Sequence, residues 1–235
     1  WPGNVRELRN LMERCHVLVR HRVIDVGDLG LDTAGATASR ASSDADLPTT
    51  WLDGELPAAV ERLLQSAQDK LLAEIWASRQ EGLPLKTPQE AVILASVIEK
   101  ESGNADEQPL IAAAFINRLR TGMRLQADAT IVYGITKGYP IGRTITSKEL
   151  ATKDSWNTYQ RDGLPETPIC NPGAGALRAA LQPAASKAIY FMADGKGGHL
   201  FSETYAEHQR NVDAYWKLRR DNAAAGVNTP AVRQP

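Results

Sequence analysis

The sequence predicts an α+β fold, in which a mostly helical domain carries one small antiparallel β-sheet and follows a small helical N-terminal piece. Two observations favour this class. Helical patterns with recognisable start signals recur along the 235 residues. The β-prone runs are confined to two short stretches around a Gly-rich turn, AIYFMADGKGGHLFSE, and this pattern indicates a hairpin.

Composition restricts the classes of function. The chain is 43% hydrophobic and 23% charged, which suits a soluble globular protein with one sizeable core. Its net charge of -1 and the lack of a basic block argue against nucleic acid as a partner. No run approaches the ~20 apolar residues of a membrane span and no signal peptide is visible, so the chain as given is expected to stay cytoplasmic. Cys15 and Cys170 lie in no CxxC or Cys/His cluster, so neither a disulfide framework nor a zinc site is predicted.

The chain divides into four predicted segments. Residues 1–31 form a helical piece, and residues 32–50 are rich in Ala, Ser, Thr and Asp and predict a flexible linker. Residues 51–220 form the larger domain, and residues 221–235 are expected to be a disordered tail. Because the sequence begins at Trp1 inside an apparent folded element, a fragment or a fusion is expected.

Start and stop signals place the helices of the larger domain. A long amphipathic helix is predicted over LPAAVERLLQSAQDKLLAEIWASRQEG, with Gly82 as its stop. Thr87, Pro88 and Glu90 form an N-cap, an N1 proline and the acid of a capping box, so the next helix is predicted from Pro88 to about Ser102. Further helices are predicted from Pro109 to near Gly122, after Thr146 with Glu149, over Ala174 to Leu181, and from Thr204 with Glu207 to about Arg220.

The stretch VILASVIEKESGN contains two candidate acids, Glu99 and Glu101. At about 100° per residue, Glu101 lies on the apolar face of Leu94 and Ile98, whereas Glu99 points about 160° away from it. A carboxyl on an apolar face is desolvated, so its pKa rises toward the range of a general acid. Geometry alone nevertheless favours the simpler alternative, a helix end at which Glu101 turns out to solvent.

Longer motifs change this balance. EKESGN resembles the "glutamate followed by Ser or Thr" signature at the end of the catalytic helix of lytic transglycosylases. Four stretches around it resemble the endolytic murein transglycosylase family (YceG-like, MltG type), in order and at the family's spacings: LPLKTPQEAVILASVIEKESG, AAFINRLRTGMRLQADATIVYG, WNTYQRDGLPETPICNPG and YFMADGKGGHLFSETYAEHQRNV. The resemblance covers about Leu63 to Arg220, and such long motifs are specific.

The resemblance implies a chemistry that composition does not give. It implies cleavage of peptidoglycan glycan strands between MurNAc and GlcNAc without water, which leaves 1,6-anhydroMurNAc ends. Glu101, the second glutamate of EKE, would be the single general acid and base, and Glu99 a bystander. No metal or organic cofactor is implied. The implied partners are glycan strands and cell-wall synthesis proteins, and the implied address is the periplasmic face of the inner membrane.

Polar residues in the same motifs are the candidate substrate ligands: Gln126, Asp128, Asn157, Tyr159, Asn171, Asp194 and His199. Such groups would hold glycan hydroxyls and N-acetyl groups and stabilise positive charge at C1. Gln126, Asn157 and Tyr159 are the first choices. The sequence has Ala129 where the family usually has a proline after the aspartate, which leaves every reactive group in place.

Five of these candidates, including Asn157, have a structural alternative. Asp128 can N-cap a short helix, and Asn157 and Asn171 can be turn formers. Asp194 can belong to the hairpin turn, and His199 can be an ordinary strand residue. The DGKGG segment is not a phosphate loop, because the Walker A spacing and the strand-to-helix passage are missing. A hairpin tip whose lysine contacts an anionic glycan peptide is the preferred interpretation.

The N-terminal stretches WPGNVRELRNLMERCHVL and VIDVGDLGL resemble the lid subdomain of NtrC-type AAA+ enhancer-binding activators. The resemblance covers about Trp1 to Leu31 and implies that Arg6 once sensed a nucleotide. No phosphate-binding loop or acidic Mg²⁺ motif is visible, so ATP is not expected to bind. The chain resembles a splice of two unrelated proteins with a junction near Glu61. Two rival functions stay open, an AAA+ activator fragment that acts in transcription and a non-catalytic glycan-binding module.

Overall fold

A computed structural model describes residue 66, residues 69–102 and residues 104–224. Apart from residue 66, these belong to the compact unit formed by residues 69–235. The predicted N-terminal helical piece, the linker, Arg6, Cys15, the junction near Glu61 and the final residues 225–235 lie outside the described residues.

The described part of the chain is mostly helical, with one hairpin before its last helix. In chain order they are α1 (69–77), α2 (Pro88–Glu101), α3 (Gln108–Thr121), α4 (Asp128–Thr136), α5 (Ser147–Ala151), α6 (Ala174–Leu181), β1 (Tyr190–Ala193), β2 (His199–Ser202) and α7 (Tyr205–Ala224). The two strands pair antiparallel, with Tyr190 opposite Ser202 and Ala193 opposite His199. The predicted α+β class and the predicted hairpin are confirmed.

The helix that carries both glutamates begins as the sequence predicts. Thr87 is the N-cap of α2, its side chain accepts a hydrogen bond from the backbone N–H of Glu90 at 3.2 Å, and Pro88 is the first helical residue. In a capping box, the Glu90 carboxylate would accept a hydrogen bond from the backbone N–H of the N-cap residue itself, which it does not do here. The Glu90 carboxylate accepts from the backbone N–H of Lys86 at 2.5 Å, one residue ahead of the N-cap.

Three other helix boundaries also follow their local signals. Helix α3 ends at Gly122, whose φ of 70° is the left-handed cap conformation that glycine adopts without strain. Thr146 and Glu149 form the predicted capping box of α5. Thr204 and Glu207 bond each other's backbone N–H groups ahead of α7, each at 3.2 Å.

Two predicted boundaries are wrong. The first helix ends at residue 77, several residues before Gly82, because Arg79 Nη1 and Ser78 Oγ bond its last carbonyls, those of Trp76 and Ile75, at 2.8 Å and 3.3 Å. Helix α7 continues to Ala224 instead of stopping near Arg220, so the first four residues of the predicted tail are helical.

The core lies where α2 and α3 both pack against α6. Its largest side chains are fully buried and come from all three helices: Leu94, Val97, Ile98, Ile111, Phe115, Ile116, Leu177 and Leu181. Burying each such large side chain contributes about 1.5–3 kcal/mol. The hairpin joins this core through Phe191, whose ring meets Phe115 edge-on with centroids 5.5 Å apart. None of the helices in the described part of the chain has the length and apolarity that a membrane crossing requires.

Candidate active site

Glu101 is the last residue of α2 and extends the buried stripe of Leu94 and Ile98, both fully inaccessible. The Glu101 side chain is half-buried as a whole, but its Oε2 atom is enclosed and has no hydrogen-bond partner among the described residues. Burial, the largest cause, and the negative charge of Asp128 together raise the pKa of Glu101 from 4.5 to about 7, against the Arg118 guanidinium, which lowers it. The predicted desolvation of this carboxyl is confirmed.

Glu99 has a different environment, although not for the reason that helical geometry suggests. Val92 and Ser96, which share its side of α2, are themselves buried, so the helix is enclosed on more than one face. The two glutamates differ in their partners instead. Glu99 Oε2 accepts a hydrogen bond from the backbone N–H of Gly173 at 3.2 Å, and Gly173 is the N-cap of α6. Glu99 therefore stabilises the start of a core helix.

Arg118 is a buried cation of the site that the sequence patterns did not single out. It lies in α3 and is 7% exposed, and its Nε donates to the Ile189 carbonyl at 2.6 Å while its Nη1 donates to the Leu125 carbonyl. Burial lowers the pKa of Arg118, whereas the negative charge of Glu101 opposes that shift. The sequence offered one signal, the position of Arg118 among apolar residues of α3. A charged side chain in such a place is fully buried only when it has partners.

Asp128 and Tyr159 form a hydrogen-bonded pair. The Tyr159 hydroxyl donates to Asp128 Oδ1 at 2.6 Å, and burial together with this bond raises the pKa of Tyr159. The structural alternative, in which Asp128 is the N-cap of α4, is wrong. Ala127 occupies the N-cap position of α4, with no side-chain cap bond, and Asp128 is the first helical residue. Its carboxylate therefore accepts the hydrogen bond from Tyr159, and its negative charge acts on Glu101.

Gln126 stands on the loop between α3 and α4, with its side chain exposed. Its φ of 51° is positive, which is uncommon for a residue with a side chain and costs of order 1 kcal/mol. The loop holds this conformation because the backbone N–H of Gln126 donates to the Thr158 carbonyl at 3.2 Å, and the next residue, Ala127, donates to Thr158 Oγ1 at 3.0 Å. Leu125 and Ala127 are buried on either side. The Gln126 side chain is thus presented outward from a fixed loop.

Asn157 is fully buried and all its side-chain groups are engaged. Its Nδ2 donates to the carbonyls of Glu149, Leu150 and Thr152 at 3.1, 3.2 and 2.6 Å, and its Oδ1 accepts from the backbone N–H of Tyr159 at 2.9 Å. Both amide hydrogens are in use, and the fully buried side chain is not accessible to a glycan. The geometry favours the turn-forming alternative, in which Asn157 fixes the loop that carries Tyr159.

The remaining three candidates lie elsewhere in the fold. Asn171 is exposed, between buried Cys170 and Pro172. Asp194 Oδ1 accepts from the backbone N–H groups of Lys196 and Gly198 at 2.6 and 2.9 Å, and these bonds lower the pKa of Asp194. Asp194 therefore organises the hairpin turn, as its structural alternative held.

His199 begins β2 and faces the loop that follows α2. Glu107, the N-cap of α3, contacts His199 twice, with Oε1 on the backbone N–H at 2.9 Å and Oε2 on Nδ1 at 2.8 Å. Both side chains are largely buried, at 15% and 17% exposure. This pair joins the hairpin to the segment just beyond Glu101.

The structure thus brings four groups into one electrostatic neighbourhood: Glu101, Arg118, Asp128 and Tyr159. Gln126 lies on the adjoining loop, whereas Asn157, Asp194 and His199 have structural bonds of their own. Within the described ranges, no group of three or more His, Cys, Asp or Glu side chains could hold a metal ion. One enclosed acid with a pKa of about 7, beside a buried cation, can release and take back a proton near neutral pH.

Fold and site define an α+β domain with a single enclosed acid at the end of a core helix. The model of the YceG-like family matches residues 52–214, and the chain belongs to that family. A second model, that of the AAA+ ATPase lid domain, matches residues 1–46. Both resemblances seen in the sequence are confirmed, and the lid match extends through most of the predicted linker.

Individual relatives agree with the family. The chain is 34% identical over 122 residues to an endolytic murein transglycosylase of Bacillus subtilis, covering 52% of this chain and 33% of that protein. It is 29% identical over 177 residues to an endolytic murein transglycosylase of Streptococcus pneumoniae R6, covering 68% of this chain and 32% of that protein. A crystal structure of a yceG-like protein from Listeria monocytogenes superposes with a TM-score of 0.52 at 28% identity, covering 74% of this chain and 52% of that one. The chain therefore spans about a third of the length of these curated relatives.

Proposed function

We propose that this domain is a lytic transglycosylase that cleaves peptidoglycan glycan strands, with Glu101 as its general acid and base. The observation that carries the proposal is the enclosed Glu101 carboxyl, whose pKa of about 7 keeps a large fraction protonated near neutrality. The relatives named endolytic murein transglycosylase support the substrate class.

The reaction needs one proton carrier. Glu101 gives its proton to the glycosidic oxygen between MurNAc and GlcNAc, the bond from C1 of MurNAc to that oxygen breaks, and positive charge develops at C1. The Glu101 carboxylate then takes the proton of the C6 hydroxyl of the same MurNAc, whose oxygen forms the new bond to C1. The products are a 1,6-anhydroMurNAc end and a free GlcNAc hydroxyl, and Glu101 is protonated again.

The neighbouring groups have distinct roles in this scheme. Asp128, held by the Tyr159 hydroxyl at 2.6 Å, places negative charge near the site and favours the developing positive charge. Gln126 and Asn171 have exposed side chains, so they are the proposed ligands of glycan hydroxyl or N-acetyl groups. Asn157, Asp194 and His199 support the walls of the site through the bonds that fix their loops.

The coupling of Asp128 to Glu101 favours one second candidate. A pair of carboxylates is the usual equipment of hydrolytic glycosidases, in which the second carboxylate activates water or attacks the sugar. Hydrolysis of the same bond leaves a reducing MurNAc end, which is one water heavier than an anhydro end.

With either reaction, the substrate would place the domain on the periplasmic side of the inner membrane, with cell-wall synthesis proteins as neighbours.

The product distinguishes these alternatives. Purified chain is incubated with uncrosslinked glycan strands, and the released fragments are weighed by mass spectrometry. Anhydro ends support the proposal, and reducing ends support hydrolysis through Asp128. Binding of strands without cleavage supports the glycan-binding module, and the absence of both binding and cleavage leaves the AAA+ lid resemblance as the guide to function.

A further inference from the structure

Arg118 joins two segments that flank the candidate acid. Its Nε donates to the carbonyl of Ile189, the residue before β1, and its Nη1 donates to the carbonyl of Leu125, the residue before Gln126. Ile189 is 71 positions away in sequence and Leu125 is 7. One side chain on α3 therefore fixes both the base of the hairpin and the loop that leads to Asp128.

The guanidinium is held in an apolar surrounding. It lies 5.4 Å from the ring centre of Phe191 and 5.8 Å from that of Phe115, and these two rings contact each other edge-on. An arginine keeps its proton in such a place because its intrinsic basicity is very high. A permanent positive charge is thus buried in the wall of the site, with few rotamers open to it.

Several groups face this charge from the elements packed around it. Glu101 of α2 faces it with opposite charge, and the phenol groups of Tyr159 and Tyr190 also lie near it. His208 of α7, whose ring stacks on Tyr190 with centroids 5.3 Å apart, experiences its repulsion. At Glu101 itself, the negative charge of Asp128 acts in the opposite sense to Arg118.

The two steps of the proposed reaction make different demands on Glu101. The first step needs a protonated carboxyl, which burial and Asp128 provide. After that step the site contains a buried carboxylate, and an isolated charge of this kind is costly unless an opposite charge lies near it. Arg118 supplies that charge without a direct hydrogen bond to Glu101, so the carboxylate keeps its lone pairs for the C6 hydroxyl.

We infer that Arg118 is a positioning residue for the proton cycle of Glu101. Its hydrogen bonds hold the hairpin and the Gln126 loop beside the acid, and its charge stabilises the carboxylate that follows the first proton transfer. The inference rests on the proposed function for its chemical meaning. Its electrostatic half is testable without any substrate.

The experiment is a carbon-13 NMR titration of glutamate carboxyls in the full chain, with the Glu101 signal assigned through Glu101→Gln. Arg118→Met removes the positive charge. Arg118→Lys keeps the charge but loses the planar guanidinium that bonds the Ile189 and Leu125 carbonyls. Arg120→Met is the matched control. Arg120 lies on the same helix but is exposed and donates to the Gly82 carbonyl at 3.1 Å. Formation of anhydro ends from glycan strands is measured on the same samples.

The expected results separate charge from position. Arg118→Met raises the titration midpoint of Glu101 by about 1 pH unit, whereas Arg118→Lys and Arg120→Met leave it within about 0.3 of the parent. Arg118→Lys lowers product formation about tenfold, because the planar fork to two carbonyls is lost. An unchanged midpoint in Arg118→Met overturns the inference.

Two further outcomes are decisive. If circular dichroism shows that Arg118→Met is unfolded, Arg118→Lys decides the matter, because a midpoint moved by a full unit or undiminished product formation contradicts the inference. If the parent chain yields no anhydro ends, the proposed function fails, whereas the midpoints still establish or refute the effect of Arg118 on Glu101.

Discussion

Glu99 and Glu101 stand two positions apart on one helix and have opposite environments. The Glu99 carboxylate accepts a hydrogen bond from the Gly173 N–H at 3.2 Å at the start of α6. The Glu101 Oε2 atom is enclosed without a hydrogen-bond partner in the described part of the chain. One acid is therefore a structural cap, whereas the other, with a pKa of about 7, is the proposed proton carrier.

The first prediction concerns the pH dependence of stability. Glu101 has a pKa of 4.5 when exposed and about 7 when folded, so the folded state binds an extra proton between these values. Stability is accordingly lost as pH rises through this window, by about 3 kcal/mol at most. Glu101→Gln removes the buried charge. Denaturant titrations should show this variant about as stable as the parent near pH 4 and more stable near pH 8. Equal stabilities near pH 8 would contradict the burial of this charge.

Replacing the neighbouring acid should have a small and different effect. Glu99→Gln keeps an oxygen acceptor for the Gly173 N–H but loses the favourable charge at the N-terminus of α6. We expect a loss of about 0.3–1 kcal/mol, without the pH dependence described for Glu101. Thermal unfolding at two pH values measures both effects. A loss of several kcal/mol would mean that Glu99 has a larger role than a cap.

Asn157→Asp tests whether Asn157 is part of the scaffold. The new carboxylate oxygen would face the carbonyls of Glu149, Leu150 and Thr152, with no hydrogen to share. We expect a loss of about 3 kcal/mol or more in unfolding free energy. Asn171→Asp is the control, since Asn171 is exposed and should tolerate the same change. If both variants are equally stable, the Asn157 amide is not the anchor of its loop.

The pH dependence of cleavage follows from the same pKa. The first step requires protonated Glu101, so the second-order rate constant kcat/KM should fall as pH rises through about 7. Initial rates of glycan cleavage at low substrate concentration, measured over a pH series, give the pKa of this acid in the free protein. A rate constant that keeps rising above about pH 8 would indicate that a different group is the acid.

Local signals in the sequence predicted much of the helical framework. The Thr87, Thr146 and Thr204 caps depend on residues three positions away, so their boundaries can be recognised without knowledge of the fold. The end of the first helix was predicted wrongly because Ser78 and Arg79 bond its last carbonyls, whereas the sequence draws attention to Gly82.

The candidate site was only partly predictable, because its contacts are long-range. Glu101 could be singled out by its motif, but the helical-face argument was weaker than expected, since Ser96 beside Glu99 is as buried as Ile98 beside Glu101. Arg118 was missed because a charged residue in a helix resembles a solvated face until its contact with Ile189, 71 positions away, is known. The sequence favours Asn157 as a ligand because no local pattern reveals that its amide bonds the carbonyls at the end of α5, those of Glu149, Leu150 and Thr152.

The most direct test of the account compares Glu101→Gln with Glu99→Gln on uncrosslinked glycan strands, with anhydroMurNAc ends quantified by mass spectrometry. The account predicts that Glu101→Gln lowers the rate of product formation by at least about 100-fold while the strands still bind. Glu99→Gln should retain most of the parent's rate. Full product formation by Glu101→Gln would contradict the central claim that this carboxyl carries the proton.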